Sequence, residues 1–238
     1  MKNIISIIIC MLILSSSLQA QYGISLGYKR MSASNWENLF NNYNVNNSEV
    51  RLASLHEGTA FGIDRWFRLK NYRVEFTPQA MYSRFSRRSA DTQDFSFSLV
   101  SNFYSLAFHT SFYALDLEGD CDCPTFSKDG NLFSKGFFFQ VSPELYYMRN
   151  HFQLNEIDAI ANHIGFGIGI GAGLDLGLSD FITLTPIIRY SYYPKAKWAN
   201  LHELLSNSTP PPTDSTKKNT TDMLQVFFGV RMGFRFFD

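Results

Sequence analysis

The sequence has no excess of charge of either sign: 21 Lys and Arg stand against 21 Asp and Glu. A nucleic-acid binder needs a basic face, so this balance argues against one. Beyond the first twenty residues there is no run of ~18 consecutive apolar residues, which excludes a transmembrane helix from the rest of the chain. Cysteine is scarce. Of three in all, Cys10 lies in the N-terminal apolar stretch, leaving Cys121 and Cys123 for the remainder. No lysine-bearing phosphate loop is present: Gly165-Phe166-Gly167-Ile168-Gly169-Ile170-Gly171 is rich in glycine but continues as a strand pattern instead of opening a helix.

What the sequence does have is aromatic side chains, with 23 Phe and 12 Tyr in 238 residues. The length fits one domain. Mean hydropathy is nevertheless slightly negative. Many aromatics at middling hydropathy is the balance of a membrane barrel, where only alternate residues face lipid. Residues 1–20 read as a secretory signal peptide: Lys2 gives a positive start, Ile4 to Leu14 an apolar core, and Ser15 to Ala20 a small, polar exit. Cleavage after Ala20 would leave 21–238 as the barrel domain.

Period-2 alternation recurs through that domain, which is the β signal. At the C-terminal end Leu224, Val226, Phe228, Val230, Met232, Phe234 and Phe236 share one face. Between 164 and 178, Ile, Phe, Ala and Leu take the even positions, and glycines take all but one of the odd ones. Glycine at alternate positions is costly in a soluble strand. Inside a narrow barrel it makes room for large side chains from opposite strands. Further strands are expected at 22–31, 59–69, 72–83, 95–115, 137–148 and 182–193. Arg65 breaks the apolar face of the second and would mark a bulge or the interface. The phase of 95–115 is expected to shift near Asn102. The total is eight, an even number as a closed barrel needs. The outer loops would be about 34–55, 86–93, 150–161 and 195–222, and the inner connections about 70–71, 116–135 and 179–180. Two short helices are expected in the outer loops. One, capped by Ser34 or Asn35, runs through Trp36, Leu39 and Phe40. The other carries Trp198, Leu201, Leu204 and Leu205. Both are read as lids over the barrel mouth.

The predicted inner faces carry Lys29, Asp64, Glu75, Glu144, Asp175, Arg189, Arg231 and Arg235, with the signs roughly balanced. Buried charge must be paired, and an eight-stranded barrel is just wide enough for its side chains. These residues are therefore expected to form a cross-barrel salt-bridge network that fills the lumen, with a polar pore as the alternative. His109 and Ser111 form a His-x-Ser pair on one strand face, and a Ser nucleophile with a His base is the chemistry of acyl transfer. The competing reading is two polar residues filling the lumen. Cys121 and Cys123 sit in Asp-Cys-Asp-Cys-Pro. An oxidising envelope would close them into a tight disulfide. A metal site is the alternative, although structural zinc needs four ligands and no second Cys or His pair is spaced to complete it. No cofactor is called for.

The Leu18-Gln19-Ala20-Gln21 exit, Val141-Ser142-Pro143-Glu144-Leu145-Tyr146-Tyr147, the glycine-alternating strand at 165–173 and the Gly229-to-Phe237 ending together resemble the small outer-membrane β-barrel proteins of Bacteroidetes-type bacteria. That broad group includes PorT-like and OmpA-like eight-stranded barrels. The His-x-Ser pair resembles the motif of outer-membrane lipid A deacylases, which are also eight-stranded barrels. These resemblances imply an all-β, antiparallel transmembrane barrel in the outer membrane. They imply lipid as surroundings and the barrel-assembly machinery as a partner that reads the C-terminal strand. For PorT-like members they imply a link to protein secretion. In the structural or interaction reading, the long inner connection 116–135 is expected to be the docking element for a periplasmic partner. Three functions follow, in order: a structural or interaction barrel, a small-solute pore, and a lipid-modifying enzyme. A soluble barrel of lipocalin type is the main alternative in fold; its outer strand faces would be polar, and here they are Ile, Leu, Phe and Tyr.

Overall fold

The structure, a computed structural model, describes residues 21–46, 52–69, 72–92, 95–114, 136–155, 157–179, 181–206 and 219–234. Residues 1–20, expected to be a signal peptide, the Cys121–Cys123 pair, the rest of 116–135 and Arg235 lie outside these residues. Eight long strands follow one another: β1 (Gln21–Ala33), β2 (Glu57–Arg68), β3 (Val74–Thr92), β4 (Phe95–Phe112), β5 (Phe137–Leu154), β6 (Ile157–Leu174), β7 (Ile182–Lys197) and β8 (Thr220–Phe234). A two-residue strand, Leu176–Gly177, continues β6 past Asp175 and pairs with β7. Helix α1 (Ser34–Asn46) joins β1 to β2, and α2 (Leu201–Ser206) lies between β7 and β8.

Each strand pairs antiparallel with the next, β8 returns to β1, and the sheet is thereby closed. The ladders also fix its stagger. From Lys29 through β2 to β5 they arrive at Ala161 of β6; from Lys29 through β8 and β7 they arrive at Gly171 of the same strand. That offset of ten residues is the shear of a tilted, closed barrel. A closed sheet has no edge, so every ladder hydrogen bond can be made without water.

Parity decides what each side chain meets. Leu26, Phe61, Leu106, Leu145, Ile170 and Ile188 are exposed on the outer wall, while Ser25, Thr77, His109, Ser142 and Thr185 are buried inside. Large apolar side chains outside and hydroxyls inside is the inverse of a soluble barrel, and a hydrocarbon surround is the solvent that tolerates it. Along β6 the glycines leave space for their neighbours' rings. A Cβ at Gly167 would sit 2.2 Å from the Tyr193 ring, and one at Gly173 would sit 2.4 Å from Phe138. The rings come from the adjacent strands β7 and β5, not from across the barrel as expected.

Three sequence expectations are corrected. β4 keeps one phase throughout: Phe97, Leu99 and Phe103 point inward with the same parity as Ser105, His109 and Ser111. The apolar residues change face near Asn102 while the backbone does not. Secondly, 86–93 and 150–161 are mostly strand, because β3 runs to Thr92 and β5 and β6 form a hairpin closed at Asn155. An apolar-outside signature ends where the strands leave the hydrocarbon, but the ladders continue. Thirdly, of the two readings of Arg65, a bulge or the interface, the bulge is excluded. Arg65 pairs in register with Tyr22, and its guanidinium lies 5.9 Å from that ring.

Both helices are lids. Trp36, Leu39, Phe40 and Tyr43 recur at helical spacing, and all are buried. Trp36 meets Trp198 edge to face at 5.4 Å. The entry to α1 is capped by Glu37, whose Oε1 accepts the Ala33 N–H at 2.9 Å. Asn35, expected as a cap, donates instead to the Thr220 carbonyl at 2.8 Å and ties α1 to β8.

Candidate functional site

The lumen has two storeys. The lower holds the charged residues, each placed by its strand parity. Asp64 of β2 and Arg231 of β8 form a direct ion pair, with guanidinium nitrogens 2.6 to 3.0 Å from the carboxylate. Asp64's side chain is fully shielded there. The other charges are held largely through neutral groups. Glu144 accepts the Ser191 hydroxyl at 2.8 Å and the Tyr193 hydroxyl at 2.6 Å. Arg189 donates to the side-chain carbonyls of Gln140 at 3.0 Å and Gln79 at 3.4 Å. Lys29 donates to Gln225 at 3.2 Å, and its ammonium lies 5.2 Å from the Phe103 ring centre. Glu75 and Asp175 both lie within reach of the Tyr113 hydroxyl, and Thr185 also donates to Asp175. The expected salt-bridge network is thus corrected in kind. One tight pair is joined by hydroxyl and amide relays, which satisfy buried charge without bringing every partner across the barrel.

Sequence reasoning left Arg73 out of this set. It is buried at the lower end, with its guanidinium 4.8 Å from the Tyr113 ring centre. It directly precedes β3, and its parity, two residues before Glu75, put it on the inner face without its being counted among the lumen charges.

His109 lies inside, but Ser111 is not its partner. His109 Nδ1 meets Ser142 Oγ at 2.7 Å, and Nε2 meets Gln79 Oε1 at 2.9 Å. A carbonyl oxygen only accepts, so Nε2 donates, and in the neutral ring Nδ1 accepts a hydrogen bond from the Ser142 hydroxyl. Ser111 instead accepts from the Gln140 amide at 3.1 Å. The two-residue spacing puts His109 and Ser111 on one face along a strand, whereas the contact forms across the β4–β5 ladder. Ser142, His109 and Gln79 have the order of nucleophile, base and orienting group. They are sealed, however: His109 is 1% exposed and Ser142 0%. The void beside them is about 20 Å³, room for one water.

The upper storey is apolar. Phe103 stacks on Tyr146 at 4.9 Å, and Tyr193 stands edge-on to both at 5.2 and 5.0 Å. Phe85, Leu99, Met148 and Phe152 fill the space around them, and the lid residues Trp36, Phe40, Trp198 and Leu201 close the top. Among the described residues no group of three or more His, Cys, Asp or Glu is arranged to hold a metal ion.

No family model matches the chain, and no curated protein matches it. Solved structures similar to it include a major outer membrane protein from Thermus thermophilus, at 10% identity, a TM-score of 0.49, and coverage of 91% of this chain and 99% of that one. Neisserial surface protein A is similar at 13% identity and a TM-score of 0.47, over 92% of this chain and 97% of that one. Ail, the attachment invasion locus protein of Yersinia pestis, is similar at 11% identity and a TM-score of 0.43, over 92% of this chain and 100% of that one. The fold of this chain, read from its own ladders, is a closed antiparallel β-barrel of eight strands.

Proposed function

We propose that this chain is an integral barrel of a bacterial outer membrane with a closed lumen, and that it serves the cell envelope as a structural or interaction protein through its wall and ends. The carrying observation is the filled upper storey. Phe103, Tyr146, Tyr193 and Phe152 are buried side by side beneath the Trp36–Trp198 lid. A water column does not form through packed aromatic rings, so the small-solute pore loses its path. Lipid-modifying chemistry loses its access, because a substrate ester cannot reach Ser142 through a packed lumen. In this proposal the C-terminal strand is read by the assembly machinery, and 116–135 is where a periplasmic partner docks. A PorT-like, secretion-linked role remains part of the proposal, resting on the residues quoted for that resemblance.

The test is conductance of the full-length chain, without its leader, in planar bilayers. No stepwise current is expected. Steady channels of defined size would overturn the closed-lumen reading and restore the pore. Acyl release from lipid A that is lost in His109→Ala would overturn it in favour of the enzyme.

A further inference from the structure

The outer wall is not uniformly convex. Between β2 and β6 it carries an apolar groove of about 480 Å³. Its floor is Ala80, whose ladder neighbours on the two sides are Ile63 and Leu106. A methyl group between two branched side chains leaves a notch. Its upper rim is a row of tyrosines, Tyr82, Tyr104 and Tyr147, with ring centres 5.1 and 5.9 Å apart. Tyr82 and Tyr147 turn their hydroxyls upward, donating to Asn102 at 2.8 Å and Asn162 at 3.0 Å.

One step further up the same outer face runs the ladder row Arg84, Asn102, Arg149, Asn162. Arg84 and Arg149 are exposed, and among the described residues neither has a carboxylate within 4.0 Å. Arg87, by contrast, is paired with Glu57 at 3.3 Å, and the His151 ring meets Asp158 at 2.6 Å. In that row the backbones at Arg84 and Arg149 are roughly 10 Å apart, two strands from each other, and Arg84 lies about 13 Å along β3 from the Ala80 floor of the notch.

We infer that this wall holds one phosphorylated, acylated lipid of the outer leaflet, with an acyl chain in the Ala80 notch and its phosphate between Arg84 and Arg149. The inference rests on the membrane placement proposed above. Charge complementarity names the occupant. Any lipid chain could lie on Ala80, but an anionic headgroup matches two uncompensated guanidinium forks, which bind phosphate oxygens in a bidentate manner. The tyrosine row fixes the height at which chain gives way to headgroup, as aromatic belts do.

The test is native mass spectrometry of the folded full-length chain, without its leader, in neutral detergent. The probes are bis-phosphorylated lipid A and the same lipid stripped of phosphate. Wild type is expected to retain one phosphorylated lipid about tenfold or more tightly than the stripped form. Arg84→Ser with Arg149→Ser should erase that preference. Ala80→Phe should weaken both lipids, and inorganic phosphate should not compete. Equal retention of both lipids by wild type, undiminished retention by the double variant, or displacement by inorganic phosphate would each overturn the site. A heat-modifiable band on an unboiled gel reports folding separately. Its absence in wild type sinks the membrane reading itself, whereas a folded barrel with no phosphate preference sinks only the lipid site.

Discussion

The lower and upper storeys of the lumen are built by the same strands at the same parity, yet their chemistry is opposite. On β4 the lower stretch puts Leu106 and Phe108 outside with Ser105 and His109 inside; the upper puts Ser98 and Asn102 outward with Phe97, Leu99 and Phe103 inside. In the membrane placement proposed above, what changes at the boundary is the solvent outside the wall. Where hydrocarbon surrounds the barrel, apolar residues are satisfied on the exterior, and the interior can be polar if each polar group finds a partner. Where water surrounds it, the exterior contributes no hydrophobic stabilisation, and the strands are held by an apolar core like that of a soluble barrel. One barrel thus obeys two rules of burial along its axis.

The comparison can be broken from either storey. Below, the largest effect is expected from Asp64→Ala, which leaves the largely shielded Arg231 without its carboxylate; a loss of about 3 kcal/mol should appear as a lower urea midpoint in detergent. The exposed pair between Arg87 and Glu57 serves as its control, and Arg87→Ala should cost under ~1 kcal/mol. Above, Phe103→Ala removes the ring shared by Tyr146 and Tyr193 and should cost about 3 kcal/mol by the same titration. An unchanged midpoint there would mean that the aromatic cluster only fills space. His109→Ala strips a partner from Ser142 and from Gln79, and a loss of about 1–3 kcal/mol is expected. A smaller contrast separates two glycines: Gly167→Ala must displace the Tyr193 ring and should cost about 1–3 kcal/mol. Gly177→Ala meets nothing within 4 Å and should stay within ~0.5 kcal/mol of wild type.

Much of the lower storey was legible because alternation is a local signal. Leu224 to Phe234 announces its lipid face without reference to any other strand, and the even and odd sets of β6 separate on inspection. The upper storey was harder to read, since Phe97, Leu99 and Phe103 look like a slipped phase unless the boundary of the membrane is known. The lids were visible through the spacing of Trp36, Leu39 and Phe40, although the true cap, Glu37, was not identified. His109 was found, and its partner was missed, because Ser142 comes from another strand and no spacing encodes a cross-strand neighbour.

The sequence by itself determined the barrel: strand number, the inward or outward sense of side chains along the lipid-facing stretches, and the balance of buried charge all follow from period and composition. Only the tertiary structure decided the pairing. The shear of ten residues sets which inward side chains stand at one height. It therefore sets that Asp64 meets Arg231, that Glu144 is held by hydroxyls, and that Ala80 lies beneath a row of tyrosines crowned by Arg84 and Arg149. Registry is a property of the closed sheet, and no single strand contains it.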